Sequence, residues 1–131
     1  MRILVVDDMQ ERHDFFRKAY NGMDDIIVQS YDYDNAILEL SSTPDSFDLM
    51  FLDHDLSIES AMCDPHNTYE KTGSDIAEYI ARELDPAECV GMEIYCHSMN
   101  PYGRVNMVNI LKKAGFKAID ASFVTMGLSI S

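Results

Sequence analysis

Three short polar clusters in this sequence each follow an apolar run and carry side chains that can do chemistry. The clusters are Asp7 and Asp8, then Asp53, His54 and Asp55, and finally His97, Ser98 and Asn100. Carboxylates that lie close together repel one another and resist ionisation unless a cation lies between them. Imidazole titrates near neutral pH and can transfer protons there. The clusters therefore indicate either a site that joins a cation to an anionic ligand or a set of solvated acidic turns.

The apolar runs before these clusters are predicted to be buried strands. Leu49 to Leu52 is too short for a helix and has no polar face, which is typical of a strand in a parallel sheet. Ile3 to Val6 and Val90 to Cys96 repeat this pattern. Two further strands are predicted at Ile26 to Tyr31 and at Phe116 to Ala121. We expect the polar clusters at the carboxyl edge of the sheet, where open α/β sheets bind ligands.

Helical patterns separate the predicted strands. Apolar residues recur at helical spacing after the first strand, and Asp34 is expected to cap a second helix. Thr72-Gly73-Ser74 opens a third helix. A fourth helix is marked by Val105, Val108 and Leu111. This alternation predicts a parallel sheet with helices on both faces and right-handed crossovers.

Two segments fall outside the alternation of strands and helices. Residues 57–71 have no helical or strand period and are predicted to be a long loop that serves as a lid or a substrate loop. Only residues 122–131 follow the last strand, so the final helix is expected to be short or missing. The whole chain of 131 residues falls in the range of a single domain, 1–131.

The composition excludes several classes of protein. Ten Lys and Arg residues against 23 Asp and Glu residues give a formal net charge of −13, which opposes non-specific nucleic-acid binding through the phosphate backbone. No stretch approaches the roughly 20 apolar residues that span a membrane. Cys63, Cys89 and Cys96 form no Cys-x-x-Cys pair, so neither a disulfide framework nor a zinc ribbon is indicated. Because no signal peptide is recognised, we expect a cytoplasmic location.

An acidic pair after the first strand and an aspartate after the third resemble the receiver domains of two-component response regulators. The resemblance implies a flavodoxin-like three-layer sandwich whose five-stranded parallel sheet has the order 2-1-3-4-5. It also implies that Asp7 and Asp8 hold Mg²⁺ and that Asp53 accepts phosphate. Ser98 falls near the hydroxyl position of such domains. Their lysine at the end of strand five is absent, since Ala118 to Ser122 contains no cation.

A second resemblance rests on a double motif. Leu52 to Leu56 reads Leu-Asp-His-Asp-Leu, and His97 to Gly103 reads His-Ser-Met-Asn-Pro-Tyr-Gly. Together with Thr72-Gly73, these segments resemble the cyclic-phosphate-processing receiver-like domains, a divergent group of receiver relatives. This resemblance implies an activity on cyclic phosphate ends of RNA or on cyclic nucleotides.

The residues suit that chemistry. Opening a cyclic phosphodiester needs a nucleophilic water, neutralised phosphoryl oxygens and a proton for the leaving oxygen. The predicted metal ligands are Asp7, Asp8, Asp53 and Asp55, and the predicted catalytic residues are Asp53, His54 and His97. Hard oxygen ligands suit Mg²⁺ or Mn²⁺ better than Zn²⁺. The predicted substrate-binding residues are Ser98, Asn100 and Arg12.

Simpler roles remain open for several of these residues. Ser98 and Asn100 also fit local hydrogen bonds to the backbone, with Asn100 as a helix cap. Arg12 fits either a phosphate clamp or a helix-surface arginine paired to a carboxylate. His97 fits a packed ring, and His13 is expected to be an ordinary surface residue.

Three functions follow from the sequence. The leading hypothesis is metal-dependent hydrolysis of a cyclic phosphate or phosphodiester on a nucleotide or RNA end. The second is a phosphoaccepting receiver domain in signalling. The third is a non-catalytic module that binds a nucleotide or a protein. The expected partner is thus a small phosphorylated ligand, a nucleotide or an RNA end.

Overall fold

The computed structural model describes residues 1–42, 47–56, 71–98 and 100–121, and strands alternate with helices throughout these residues. The elements are β1 (Arg2–Val6), α1 (Gln10–Ala19), β2 (Ile26–Ser30), α2 (Tyr33–Ser42), β3 (Leu49–Asp53), α3 (Gly73–Glu83), β4 (Glu93–His97), α4 (Pro101–Lys113) and β5 (Lys117–Asp120). The predicted loop, except for Lys71, and the predicted tail with its final helix lie outside the described residues.

The five strands form one parallel sheet in the order β2-β1-β3-β4-β5, so the predicted flavodoxin-like fold is confirmed. Val6 pairs with Leu52, and Asp53 pairs with His97. Three neighbouring strands, β1, β3 and β4, therefore end at nearly the same level. Because all strands run in one direction, the residues that follow these ends lie at a single edge of the sheet.

The period of two along each strand divides the side chains between two cores. The larger core lies under α2, α3 and α4, and the smaller one joins Ile3, Val5 and Phe51 to Phe16 of α1. Continuing the α1-facing positions to the strand ends leads from Val5 to Asp7 and from Phe51 to Asp53. The apolar face under α1 thus ends in carboxylates.

Local sequence rules place the two helices nearest this edge. Thr72 begins α3 with a capping box, in which its hydroxyl accepts the Ser74 N–H and the Asp75 carboxylate accepts the Thr72 N–H. Asn100 caps α4 by accepting two backbone N–H groups, and Pro101 takes the first helical position. The predicted start of α3 is therefore confirmed. Helix α4 begins at Pro101, four residues before Val105, because Asn100 takes the role of helix cap that the sequence left open.

Some predicted details of the elements are wrong. Strand β4 begins at Glu93 rather than at Val90, because residues 86–91 form turns and Val90 is 86% exposed. The cap of α2 is Asp32, whose Oδ1 accepts the Asn35 N–H at 2.8 Å, and Asp34 lies within the first turn. The other predicted strands differ by one residue at their ends.

The buried side of α4 also differs from the prediction. Val108 and Leu111 are buried as expected, but Val105 is 48% exposed. Gly103, Met107 and Leu111, which follow one another at intervals of four residues, are all buried. The helix packs along this stripe because Gly103 lets its first turn approach the end of β3.

No helix among the described residues has both the length and the apolar character needed to cross a membrane.

Gly73 allows α3 to begin directly against the end of β3. A Cβ atom at this position would overlap the main-chain carbonyl of Asp53 and lie 2.7 Å from Sδ of Met107. The Gly73 N–H also donates to the carbonyl oxygen of His54 at 2.8 Å. The close approach of α3 to the acidic edge therefore depends on the missing side chain.

We predict that Gly73→Ala destabilises the protein by roughly 1 to 3 kcal/mol, although alanine favours helices, because overpacking displaces a backbone rather than a flexible side chain. The free energy of unfolding in urea measures the effect. Glu78→Ala, at an exposed position of the same helix, is the control and should change stability by no more than about 0.5 kcal/mol. A Gly73→Ala variant as stable as the parent would contradict the proposed close packing.

Candidate functional site

Three carboxylates meet at the carboxyl edge of the sheet, and we call Asp7, Asp8 and Asp53 the acidic cluster. One oxygen from each residue lies within 4.8 Å of those of the other two. Asp7 is 0% and Asp53 is 1% exposed, while Asp8 is partly exposed. The sheet brings together the three residues that the sequence predicted as neighbours.

Arg12 enters the acidic cluster from α1. Its Nη1 lies 3.4 Å from both carboxylate oxygens of Asp7 and 3.6 Å from Oδ2 of Asp53. Arg12 is paired to carboxylates, as one alternative predicted, but the predicted location on the helix surface is wrong. The guanidinium is buried between two carboxylates. At the end of β5, Ala121 follows Asp120 and carries no charge. Positive charge therefore reaches Asp53 from α1.

Burial raises the pKa of every carboxyl group in the acidic cluster. Desolvation, followed by the negative charge of Asp7, raises the pKa of Asp53 to about 9, although Arg12 lowers it. Desolvation raises the pKa of Asp7 to about 6, although the hydrogen bond from Met9 and the charge of Arg12 lower it. Desolvation also raises the pKa of Asp8. Near pH 7 and without metal, Asp53 therefore keeps its proton.

The acidic cluster fits a small divalent cation. Among the described residues, neither carboxylate oxygen of the buried Asp53 has a hydrogen-bond partner. Buried carboxylate oxygens normally have such partners, so this arrangement favours a cation that displaces the proton of Asp53 and stabilises its ionised form beside Asp7 and Asp8. Three carboxylates are the oxygen donors that Mg²⁺ and Mn²⁺ prefer. The identity of the metal stays a prediction.

Asp55 lies beside the acidic cluster and takes part in a different set of contacts. Its Oδ1 is 2.9 Å from Nδ1 of His54, and its Oδ2 accepts the Ser98 hydroxyl at 3.3 Å. We call His54, Asp55 and Ser98 the outer network, because Asp55 is exposed and the His54 ring is partly exposed. The assignment of Asp55 as a fourth metal ligand stays a prediction.

A second glycine positions the His54 ring. A Cβ atom on Gly103 of α4 would overlap this imidazole, with Cδ2 and Nδ1 of the ring at 2.7 Å. The ring thus rests on the helix backbone. Because the Asp55 carboxylate accepts a hydrogen bond from Nδ1–H, Nε2 is the nitrogen that remains for a ligand.

His97 lies on the other side of the sheet. It is fully buried, with its ring centroid 5.9 Å from that of Phe16 in α1. Burial, followed by the charges of Arg12 and His13, lowers the pKa of His97 to about 3. Its Nδ1 lies 3.7 Å from Oδ2 of Asp7, but a neutral ring forms no ion pair there.

The two predicted catalytic histidines therefore have different surroundings. His54 packs on α4, whereas His97 packs under α1. A ring that is neutral above pH 3 is a weak proton donor near pH 7, so these surroundings favour His54 for proton transfer. Catalytic roles for both residues stay predictions.

His13 is the clearest error among the simpler assignments. It was expected at the surface, but it is buried, and its Nε2 lies 2.8 Å from the main-chain oxygen of Asp7. Its ring centroid lies 4.1 Å from that of Tyr31. His13 therefore helps to hold the main chain at the start of the acidic cluster.

The remaining predicted residues lie in the segment that leaves β4. The buried Ser98 hydroxyl donates to Asp55 and accepts the Asn100 N–H at 3.1 Å. Asn100 uses its side-chain oxygen as the cap of α4. These contacts support the local roles that the sequence left open, and substrate contacts by either residue stay predictions. Arg104 and Asp120, which the sequence reasoning missed, extend the same contacts.

Comparison with known proteins agrees with this geometry. A family model described as the cyclic-phosphate processing receiver domain matches residues 2–113. Among curated proteins, no relative matches the sequence.

Solved structures of response regulators share the fold. TrrA from Thermotoga maritima, in complex with Mg(2+)-BeF, has a TM-score of 0.62 and 18% identity over 93% of this chain and 87% of its own. A CheY-like receiver domain protein from Methanospirillum hungatei has a TM-score of 0.56 and 20% identity over 90% and 78%.

A third structure is a response regulator from Burkholderia pseudomallei with a phosphorylated aspartic acid, calcium ion and citrate. It has a TM-score of 0.58 and 12% identity, and the match covers 99% of this chain but 66% of that one. At such identities, these likenesses establish the fold alone.

We predict that Asp53→Asn makes the metal-free protein more stable at neutral pH and flattens the dependence of stability on pH. An unfolded aspartate loses its proton near pH 4, whereas folded Asp53 keeps it up to about pH 9. Between these values the folded state binds more protons, so stability falls as pH rises, by up to roughly 1.4 kcal/mol per pH unit for one proton. Asparagine removes this contribution.

The measurement is the free energy of unfolding in EDTA at several pH values between 5 and 8.5. Asp24→Asn changes an exposed carboxylate and serves as the control, which should keep the slope of the parent. An Asp53→Asn variant with the slope of the parent would show that Asp53 is already ionised in the folded state.

Proposed function

This chain belongs to the cyclic-phosphate processing receiver domain family, and on that premise we propose that it hydrolyses a cyclic phosphate or phosphodiester on a nucleotide or RNA end with the help of a divalent metal. The family and the fold show that the chain is a receiver domain of the response-regulator type. The single observation that carries the proposal is the buried carboxylate of Asp53, whose oxygens have no hydrogen-bond partner among the described residues, next to the outer network.

Asp7, Asp8 and Asp53 would hold the metal, which supplies neutralisation of phosphoryl charge and activation of water. Two of the similar structures contain divalent cations, calcium in one and Mg(2+)-BeF in the other. Arg12 already contacts both buried carboxylates, so its charge adds to the positive potential at the place where a phosphate would bind.

His54 is the residue best placed to transfer the proton. With its Nδ1 held by Asp55, a protonated His54 can donate from Nε2 to the oxygen that leaves phosphorus, and then regain a proton from solvent. In the overall reaction, one water oxygen bonds to phosphorus and the water loses a proton to solvent, one ring P–O bond breaks, and the leaving oxygen gains a proton from His54. The packing of the ring on Gly103 limits its rotation and so favours a fixed donor direction.

A signalling function is the second candidate, because Asp7, Asp8 and Asp53 have the arrangement that the resemblance to receivers implies. The Burkholderia pseudomallei structure contains a phosphorylated aspartic acid. The lysine that the resemblance to receivers implies at the end of β5 is absent, since Ala121 is uncharged. This absence argues against the signalling function. Arg12 approaches Asp53 from α1 instead.

We predict that the protein with Mg²⁺ or Mn²⁺ opens a 2′,3′-cyclic or 3′,5′-cyclic nucleotide or a cyclic RNA end, and that EDTA abolishes this activity. His54→Gln should lower the rate by roughly 10² to 10⁴ while the melting temperature stays unchanged. His97→Gln is the matched variant, and we expect it to destabilise the fold by about 1 to 3 kcal/mol because its ring is buried. Full activity in His54→Gln would refute the assigned proton donor, and ligand binding without turnover would indicate a non-catalytic module.

We predict that acetyl phosphate with Mg²⁺ gives no long-lived phosphorylated form of Asp53, because no lysine from the end of β5 is available to hold the phosphoryl group. Intact-protein mass spectrometry measures the mass of one phosphate. A stable adduct that disappears in Asp53→Asn would favour the signalling function over hydrolysis.

A further inference from the structure

Arg104 links the segment that leaves β4 to the end of β5. It lies in the first turn of α4, and its guanidinium donates in two directions. Nη1 donates to the carbonyl oxygen of Ser98 at 2.6 Å, and Nε donates to Oδ1 of Asp120 at 2.8 Å. A planar guanidinium can serve two acceptors at fixed angles, which the single ammonium of lysine does less well.

These two bonds continue the connection between β4 and β5 beyond the sheet. The Ala121 N–H donates to the carbonyl oxygen of Cys96, two residues before Ser98. Beyond that point, the side chains of Arg104 and Asp120 carry the connection onward to Ser98. The Ser98 main chain is thereby linked to the neighbouring strand.

The position of Ser98 in turn affects the outer network. Its hydroxyl donates to Asp55, which contacts Nδ1 of His54. The same hydroxyl accepts the Asn100 N–H. A displacement of Ser98 would therefore alter the hydrogen bond to Asp55 and the start of α4 together.

Arg104 differs from an ordinary surface pair. Arg82 and Glu83 form such a pair at 3.0 Å, with side chains 65% and 51% exposed, and pairs of this kind contribute little to stability. The Arg104 side chain is 19% exposed and binds a main-chain carbonyl as well as a carboxylate. Its bonds thus restrain a backbone segment rather than only another surface side chain.

We propose that Arg104 is a positioning residue, which holds the Ser98 main chain against Asp120 and so keeps the Ser98 hydroxyl at Asp55 beside His54. Its effect on turnover rests on the proposed function. Its restraint of the Ser98 main chain does not depend on the proposed function. The two effects are therefore measured separately.

The first measurement is amide hydrogen exchange by NMR. Arg104→Gln should raise the exchange rate of the Asn100 N–H by roughly ten- to a hundredfold, the effect of losing a hydrogen bond to a charged group, while the Ile80 N–H of α3 keeps its rate. Asp120→Asn should act in the same direction and add little in the Arg104→Gln background. Arg82→Gln is the control and should leave the exchange of Asn100 unchanged.

The second measurement is turnover on a cyclic phosphate that the parent hydrolyses. Arg104→Gln should lower kcat about tenfold and change KM less than about twofold, because positioning acts on the reacting geometry rather than on binding. Arg104→Lys should recover part of the loss. If the parent shows no turnover, the proposed function fails, and the exchange of Asn100 alone decides the role of Arg104. Unchanged exchange at Asn100, or an increase shared by Ile80, would overturn the proposal.

Discussion

Burying Asp7 and Asp53 together is the constraint on which the rest of the site depends. Each carboxylate loses solvation at the sheet edge, and the guanidinium of Arg12 offsets this only in part, since the pKa of Asp53 stays raised to about 9. The fold accepts the penalty because the packed strands behind the edge bury continuous apolar side chains. The core thus holds in place a site that is unfavourable by itself. A ligand that carries positive charge stabilises this site most.

The surroundings divide the site into two environments. Asp7 and Asp53 of the acidic cluster are shielded from water, so their charges and that of Arg12 act on one another strongly. The outer network has an exposed Asp55 and a partly exposed His54, so both side chains contact solvent. One environment suits the binding of charge and the other suits proton transfer, and the pleat of β3 separates them, because Asp53 and His54 are neighbours that face opposite sides.

Much of this arrangement follows from local rules in the sequence. The strands, the caps at Thr72 and Asn100 and the meeting of Asp7 with Asp53 were predictable, because each depends on the period of an element or on where an apolar run ends. The surroundings of the two histidines were not. Strand β3 continues to Asp53 and β4 continues to His97, in each case one residue further than predicted. Because side chains alternate along a strand, the added residue decides which side of the sheet each histidine ring faces.

Other features could not be predicted, because they depend on how elements pack. The burial of Arg12 and His13 follows from the rotation of α1 over the sheet, which a pattern of mixed polar and apolar residues leaves open. Arg104 contacts Ser98 and Asp120, which lie six and 16 residues away in the chain. No periodic pattern relates these positions, so they become neighbours only once β4, α4 and β5 are packed together.

The two glycines at the helix starts make the site mechanically stiff. Gly73 brings the backbone of α3 against the end of β3, and Gly103 brings that of α4 against the His54 ring. At both places the helix contributes main chain rather than a side chain to the contact, so the Gly103 backbone lies directly against the imidazole. A displacement of α4, whose Tyr102 and Val105 face solvent, would therefore reach the imidazole through one direct contact.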